Sequence, residues 1–73
     1  MWIRRGTEAV SLAAVVRIYI VEKSMRIKTA DGSETEFVFD SEEAAEKAFK
    51  GVMNSILATT KVLDLRYDGT VVL

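Results

Sequence analysis

Two groups of side chains in this 73-residue chain are of types that do chemistry. The first is an acidic run, Asp31, Glu34, Glu36, Asp40, Glu42 and Glu43. Hard cations such as Mg2+ and Ca2+ take oxygen donors, so such a run invites a metal reading. It lacks the D-x-D-x-D-G…E spacing of a calcium loop, and Glu36 alternates with inward residues and so faces away from a core. A paired-carboxylate hydrolase needs two carboxyls roughly 5–9 Å apart across a cleft. A chain this short has little material to build one. The second group is Tyr19 with Arg17, Arg26 and Lys28. An aromatic ring among cations is the pattern that stacks bases and tracks phosphates in single-stranded nucleic acid.

The rest of the inventory narrows the chemistry. The chain has no histidine and no cysteine, which removes Cys/His zinc sites and Ser-His or Cys-His nucleophile pairs. No dinucleotide fingerprint, Walker A loop or nucleophile elbow is present. We therefore expect no catalytic residue, no metal site, no cofactor and no enzyme activity. Net charge is −1, too little for an overall field that attracts nucleic acid. Its distribution is uneven. Arg4, Arg5, Arg17, Lys23, Arg26 and Lys28 against Glu8 and Glu22 leave residues 1–30 at +4. Seven acids against Lys47 and Lys50 leave residues 31–50 at −5. Pairing of these charges within the fold or across a dimer accounts for the pattern. A basic sheet face that binds nucleic acid is the alternative.

The elements that position these residues follow from periodicity. Residues 16–22 alternate, with Val16, Ile18 and Ile20 on one side and Arg17, Tyr19 and Val21 on the other. Met25, Ile27 and Thr29 continue the inward set, with Arg26 and Lys28 outward. Cross-strand charge argues for Ile20 opposite Ile27 and a turn at Lys23-Ser24, because Ile20 opposite Met25 would set Arg17 against Lys28. Asp31-Gly32-Ser33 is expected to be a three-residue loop, which sets Ile27 opposite Phe37 and Lys28 opposite Glu36.

Phe37 and Phe39 then end a strand, and a helix over about 41–57 begins at once. Asp40 is the expected cap, with Glu43 reaching back to it. Ala45, Ala48, Phe49, Val52, Met53 and Ile56 form its apolar stripe. Gly51 inside the helix points to close approach of a neighbouring element. Residues 2–5 read as a first strand and Gly6-Thr7-Glu8 as a turn. Residues 9–16 allow either a short strand or a helical turn, and we favour a strand followed by a tight turn near Ala13-Ala14. After the helix, residues 62–67 alternate, Asp68-Gly69 turns the chain, and residues 70–73 close a second hairpin.

The expected fold is thus α+β: a small, strongly bent antiparallel sheet with one helix packed across it and a C-terminal β-hairpin. It is one domain over 1–73, with residues 1–57 as the sheet-and-helix core and 58–73 as a hairpin extension. A core of this size supplies only about 3–5 kcal/mol, and no disulfide adds to it. Tyr19, Val21 and Val38 make the outward sheet face too apolar for full solvation, so either the C-terminal hairpin or a second subunit should cover it. We expect a homo-oligomer, most simply a dimer, with Trp2, Val21, Val38, Leu65, Tyr67 and Val72 as contacts. The absence of a signal-peptide layout, of a spanning apolar run and of cysteine leads us to expect a cytoplasmic protein without membrane contact.

The order of several segments resembles a group of small uncharacterised proteins of bacteria and their phages or prophages. The segments are Trp2-Ile3-Arg4-Arg5-Gly6-Thr7, residues 11–20 (SLAAVVRIYI), residues 25–32 (MRIKTADG) and residues 37–49 (FVFDSEEAAEKAF). The resemblance covers roughly residues 2–57. It implies a compact β-rich domain closed by a helix that starts at the F-D-S-E-E-A junction, and a mobile-element origin. It implies no catalytic residues. Residues 58–73 depart from the group's pattern.

Overall fold

A computed structural model of the chain describes residues 1–56 and 62–73. The strands are β1 (Trp2–Arg5), β2 (Glu8–Ser11), β3 (Val15–Val21), β4 (Ser24–Thr29), β5 (Glu34–Val38), β6 (Val62–Leu65) and β7 (Val71–Val72), with the helix α1 (Glu42–Ser55) between β5 and β6. They form two sheets, one of order β2-β1-β6-β7 and one of order β3-β4-β5. The fold is α+β, as the periodicity implies. One feature lies beyond any local pattern: β6 runs parallel to β1, pairing Trp2 with Val62, Ile3 with Leu63 and Arg4 with Asp64. The C-terminal hairpin is therefore built into the first sheet beside the N-terminal strand. It does not fold over the outward face of the second sheet.

The core lies where the inner faces of both sheets meet α1. Ile3, Leu63 and Leu65 come from one sheet, Met25, Ile27 and Phe37 from the other, and Ala44, Ala45, Ala48 and Val52 from the helix. The helix stripe is rich in alanine, which lets its backbone approach both sheets closely. A Cβ on Gly51 would come within 2.7 Å of Val71 Cγ2, which is the close approach anticipated for that glycine. Phe39 is buried just beyond β5, and Phe49 and Met53 pack at the core's margin. β2 ends at Ser11 and Leu12–Ala14 is one 3-10 turn before β3, so residues 9–16 combine the favoured strand with the helical turn that the sequence also allowed.

Both hairpins of the second sheet differ from expectation by one residue at the turn, and hence by two in register. The first turn is Glu22-Lys23, which pairs Val21 with Ser24, Ile20 with Met25, Tyr19 with Arg26 and Arg17 with Lys28. Glu22 takes the left-handed φ of 54° that this tight turn requires. The Arg17–Lys28 juxtaposition is tolerated because the Arg17 guanidinium lies over the Tyr19 ring, 4.4 Å from its centroid. In the second hairpin the loop is Ala30-Asp31-Gly32. Thr29 N–H donates to Ser33 O, Gly32 N–H donates to Thr29 O, and Gly32 has φ 89°. That is the expected type I turn with a glycine bulge, moved one position toward the N-terminus. It sets Ile27 opposite Thr35, Lys28 opposite Glu34 and Arg26 opposite Glu36. A two-residue shift preserves parity, so the side chains of residues 17–21, β4 and β5 keep their expected faces. Val16 does not: the bulge between Val15 and Arg17 turns it outward, 63% exposed, and Val15 packs against the core in its place.

The helix cap also moves by one. Ser41, not Asp40, is the N-cap, and its Oγ accepts from Ala44 N–H at 3.0 Å. Asp40 is held outside the helix because its N–H donates to Tyr67 O in the C-terminal loop. The expected helix end at residue 57 and the start of the hairpin at 58–61 lie outside the described residues.

Candidate interaction surfaces

Alternation on β3, β4 and β5 places Arg17, Tyr19, Arg26 and Lys28 together on the outward face of the three-stranded sheet, as their parity implies. β5 supplies Glu34 and Glu36 to the same layer, so three cations share the face with two carboxylates. Arg26 Nε donates to Glu36 Oε2 at 3.0 Å, and the Tyr19 hydroxyl donates to Glu34 Oε1 at 2.6 Å. Arg17 is turned onto the Tyr19 ring. Arg17, Tyr19, Arg26 and the two carboxylates therefore engage one another across three strands, and Lys28 lies opposite Glu34 in register. At one end of this face Val21, Ser24 and Val38 form a row, and both valines are exposed.

The acidic run is dispersed among structural tasks. Asp31 accepts from the Thr29 hydroxyl at 2.6 Å and from Ser33 N–H at 2.9 Å, which holds its carboxyl below the ordinary aspartate range. Glu34 and Glu36 serve the sheet face, and Glu42 and Glu43 sit in the first helical turn, where the helix dipole favours negative charge. Among the described residues no three acidic side chains converge on a point that could hold a metal.

The outward face of the four-stranded sheet is a second surface. Ala9 and Ser11 on β2, Trp2 and Arg4 on β1, Val62 and Asp64 on β6 and Val72 on β7 share it by register. Arg4 and Asp64 form a bidentate pair, Nε to Oδ1 at 2.7 Å and Nη2 to Oδ2 at 3.0 Å. The hydrogen bond from Arg4 lowers the Asp64 carboxyl and raises the guanidinium. Beside this pair Trp2 is 49% exposed, with Val62 adjacent on β6.

The expected oligomer contacts separate on these surfaces. Trp2 and Val72 lie on the four-stranded sheet, and Val21 and Val38 lie at the end of the other. Tyr67 is exposed in the C-terminal loop. Leu65 is only 3% exposed and belongs to the core, because its strand β6 is an inner strand with Leu63 and Leu65 facing inward. It is not available as a contact.

Arg5 is the residue that sequence reading missed. It shares the inward parity of Ile3, and its guanidinium lies 4.5 Å from the Phe39 ring centroid and 4.2 Å from that of Tyr67. Nη1 donates to Val38 O at 2.6 Å and Nε to Leu65 O at 3.4 Å, so one side chain ties β5 to β6 across the two sheets. Nη2 is buried and has no partner among the described residues, and desolvation lowers the group's pKa. The available signal was an arginine on an otherwise apolar inward row. Its aromatic partners lie more than thirty residues away, beyond the reach of local pattern.

No family model, curated protein or solved structure matches this chain. No helix among the described residues is long and apolar enough to cross a membrane.

Proposed function

We propose that this protein is a non-enzymatic interaction module that self-associates, with the outward face of the four-stranded sheet as a contact surface. One observation carries the reading: Trp2, half exposed, stands beside Val62 on the outward face of the four-stranded sheet. Tryptophan at a protein surface is the residue type most enriched among binding hot spots. A small domain also gains most from burying a further apolar face, because its own core is small. The Arg4–Asp64 pair would sit at this contact as a fixed polar mark that sets its orientation. A phage or prophage origin belongs to the same proposal and rests on the sequence resemblance alone.

The chain contains one tryptophan, so its emission reports on this face directly. On raising the concentration from micromolar to millimolar, Trp2 emission should shift to the blue as sedimentation velocity shows an oligomer. Trp2→Ala should weaken association by about tenfold or more, the scale of a hot-spot truncation. A wild-type chain that stays monomeric across that range refutes the proposal.

A further inference from the structure

We propose that the free edge of β3 pairs, antiparallel and about a two-fold axis at Tyr19, with β3 of a second copy of this chain. The inference rests on the self-association reading for the identity of its partner and on separate observations for its place. Sheet edges are templates for strand addition, and stable monomers blunt them. Three of the four edges here are blunted. β7 has two residues and β2 has four. The outer edge of β5 carries the charged Glu34 and Glu36, and its Val38 carbonyl is taken by Arg5 Nη1. β3 runs for seven residues, VVRIYIV, with one charge, and among the described residues nothing pairs with its other side.

Register says which groups are free. A two-residue turn closed by Val21 and Ser24 makes Val21, Tyr19 and Arg17 the hydrogen-bonded partners of β4. The N–H and C=O groups of Ile18 and Ile20 therefore face the open side. The Val38 carbonyl, pointing away from β4 into Arg5, is the same alternation continued across the sheet.

The bulge between Val15 and Arg17 confines the regular edge to residues 17–21, whose centre is Tyr19. The core of that stretch, Ile18-Tyr19-Ile20, reads the same in both directions. A two-fold at Tyr19 sets each Ile18 opposite the other copy's Ile20, making four N–H···O bonds. Tyr19 meets Tyr19, and Arg17 meets Val21, so no like charges are opposed. Moving the axis to Ile18 draws in Val16 at the bulge, and moving it to Ile20 draws in Glu22 of the turn. The strand is its own partner in one register, which favours a second copy over an unrelated extended peptide.

The chain's lack of cysteine makes the test direct. Paired residues at a non-hydrogen-bonded position have Cα atoms about 4.5 Å apart, within the range of about 4.4–6.8 Å that a disulfide spans. On mild oxidation, Tyr19→Cys should give a covalent dimer at least about tenfold faster than Val38→Cys, which is exposed but on the far strand. In the unaltered chain, hydrogen exchange at the Ile18 and Ile20 amides should be fast at micromolar concentration and slow at millimolar. Equal crosslinking rates for the two variants overturn the inference. So do Ile18 and Ile20 amides that are already slow at the lowest concentration, because the edge is then covered within one chain. An oligomer whose Ile18 and Ile20 amides stay fast overturns the edge and leaves the Trp2 face standing. A monomer at every concentration overturns both.

Discussion

At the scale of single residues, this chain places demands on a few positions for reasons of backbone, not chemistry. Gly32 and Gly69 occupy equivalent places in two loops of the same design, D-G-S and D-G-T. Each has φ near 90°, and in each the aspartate accepts from the N–H two residues on. Their surroundings differ. A Cβ on Gly32 meets nothing within 4 Å, whereas one on Gly69 would overlap the backbone carbonyl of Ala44 at the start of α1. Gly32→Ala should therefore cost only the left-handed strain, about 1–2 kcal/mol. Gly69→Ala adds a clash with backbone that cannot rotate away, for a total of about 2–5 kcal/mol. Urea denaturation of the two variants checks the order, and equal losses would contradict the packing of this loop on the helix. Sequence marks both glycines as turn residues. It does not separate them, because the difference lies in contact with a helix about twenty-five residues away.

At the scale of elements, the decisive contact is α1 against the C-terminal strand. Gly51 costs α1 about 1 kcal/mol relative to alanine in propensity. It is kept at a position where Val71 of β7 comes too close for a Cβ. Gly51→Ala should destabilise the chain, since overpacking outweighs the gain in propensity. In a Val71→Ala background the same change should stabilise it, because the obstructing methyls are gone. A double-mutant cycle measured by thermal or urea unfolding gives the coupling, and additive effects would mean that the two elements do not touch there. The elements themselves were largely legible. Strand, turn and helix follow from alternation, glycine and the Phe37–Ala45 junction. Turn positions were not, because a two-residue turn at Glu22-Lys23 needs a left-handed glutamate that propensity argues against. The cap was not either, because Asp40 is claimed by Tyr67 from the C-terminal loop.

At the scale of the whole molecule, charge is arranged to fasten strands and loops. Asp64 is lowered by its hydrogen bond from Arg4, Asp31 by the Thr29 hydroxyl and then Ser33, and Asp68 by the backbone N–H of Thr70. A carboxyl whose folded pKa lies below its unfolded one contributes stability that is fully present above the unfolded value. That stability is lost as pH falls through the folded value. The urea midpoint should thus hold steady from neutral pH down to the ordinary aspartate range and fall below it. All three groups are exposed, so each share is small and weakened by salt. Asp64→Asn should lower the midpoint at neutral pH and flatten the acid limb. An unchanged acid limb would mean that the Arg4–Asp64 pair adds nothing to the join between β1 and β6. Removing residues 58–73 is not a neutral truncation in this fold, since it takes away β6 and with it Leu63 and Leu65 from the core.

The sequence by itself determined the class of fold and, away from the bulge at Val16, the face on which each residue of the three-stranded sheet lies. These depend on alternation, helical spacing and local hydrogen bonding, all of which act over a few residues. Only tertiary structure decided the parallel pairing of β1 with β6, the bridge that Arg5 makes between the sheets and the loss of Leu65 to the core. Those contacts join residues about sixty apart, or thirty and more in the case of Arg5, and no local periodicity encodes which edge a returning strand will choose. The candidate surfaces follow the same division. Their side chains were named from parity. Which face pairs its cations with carboxylates, which leaves Trp2 half exposed and which edge stays open among the described residues were set by how the two sheets close on one helix.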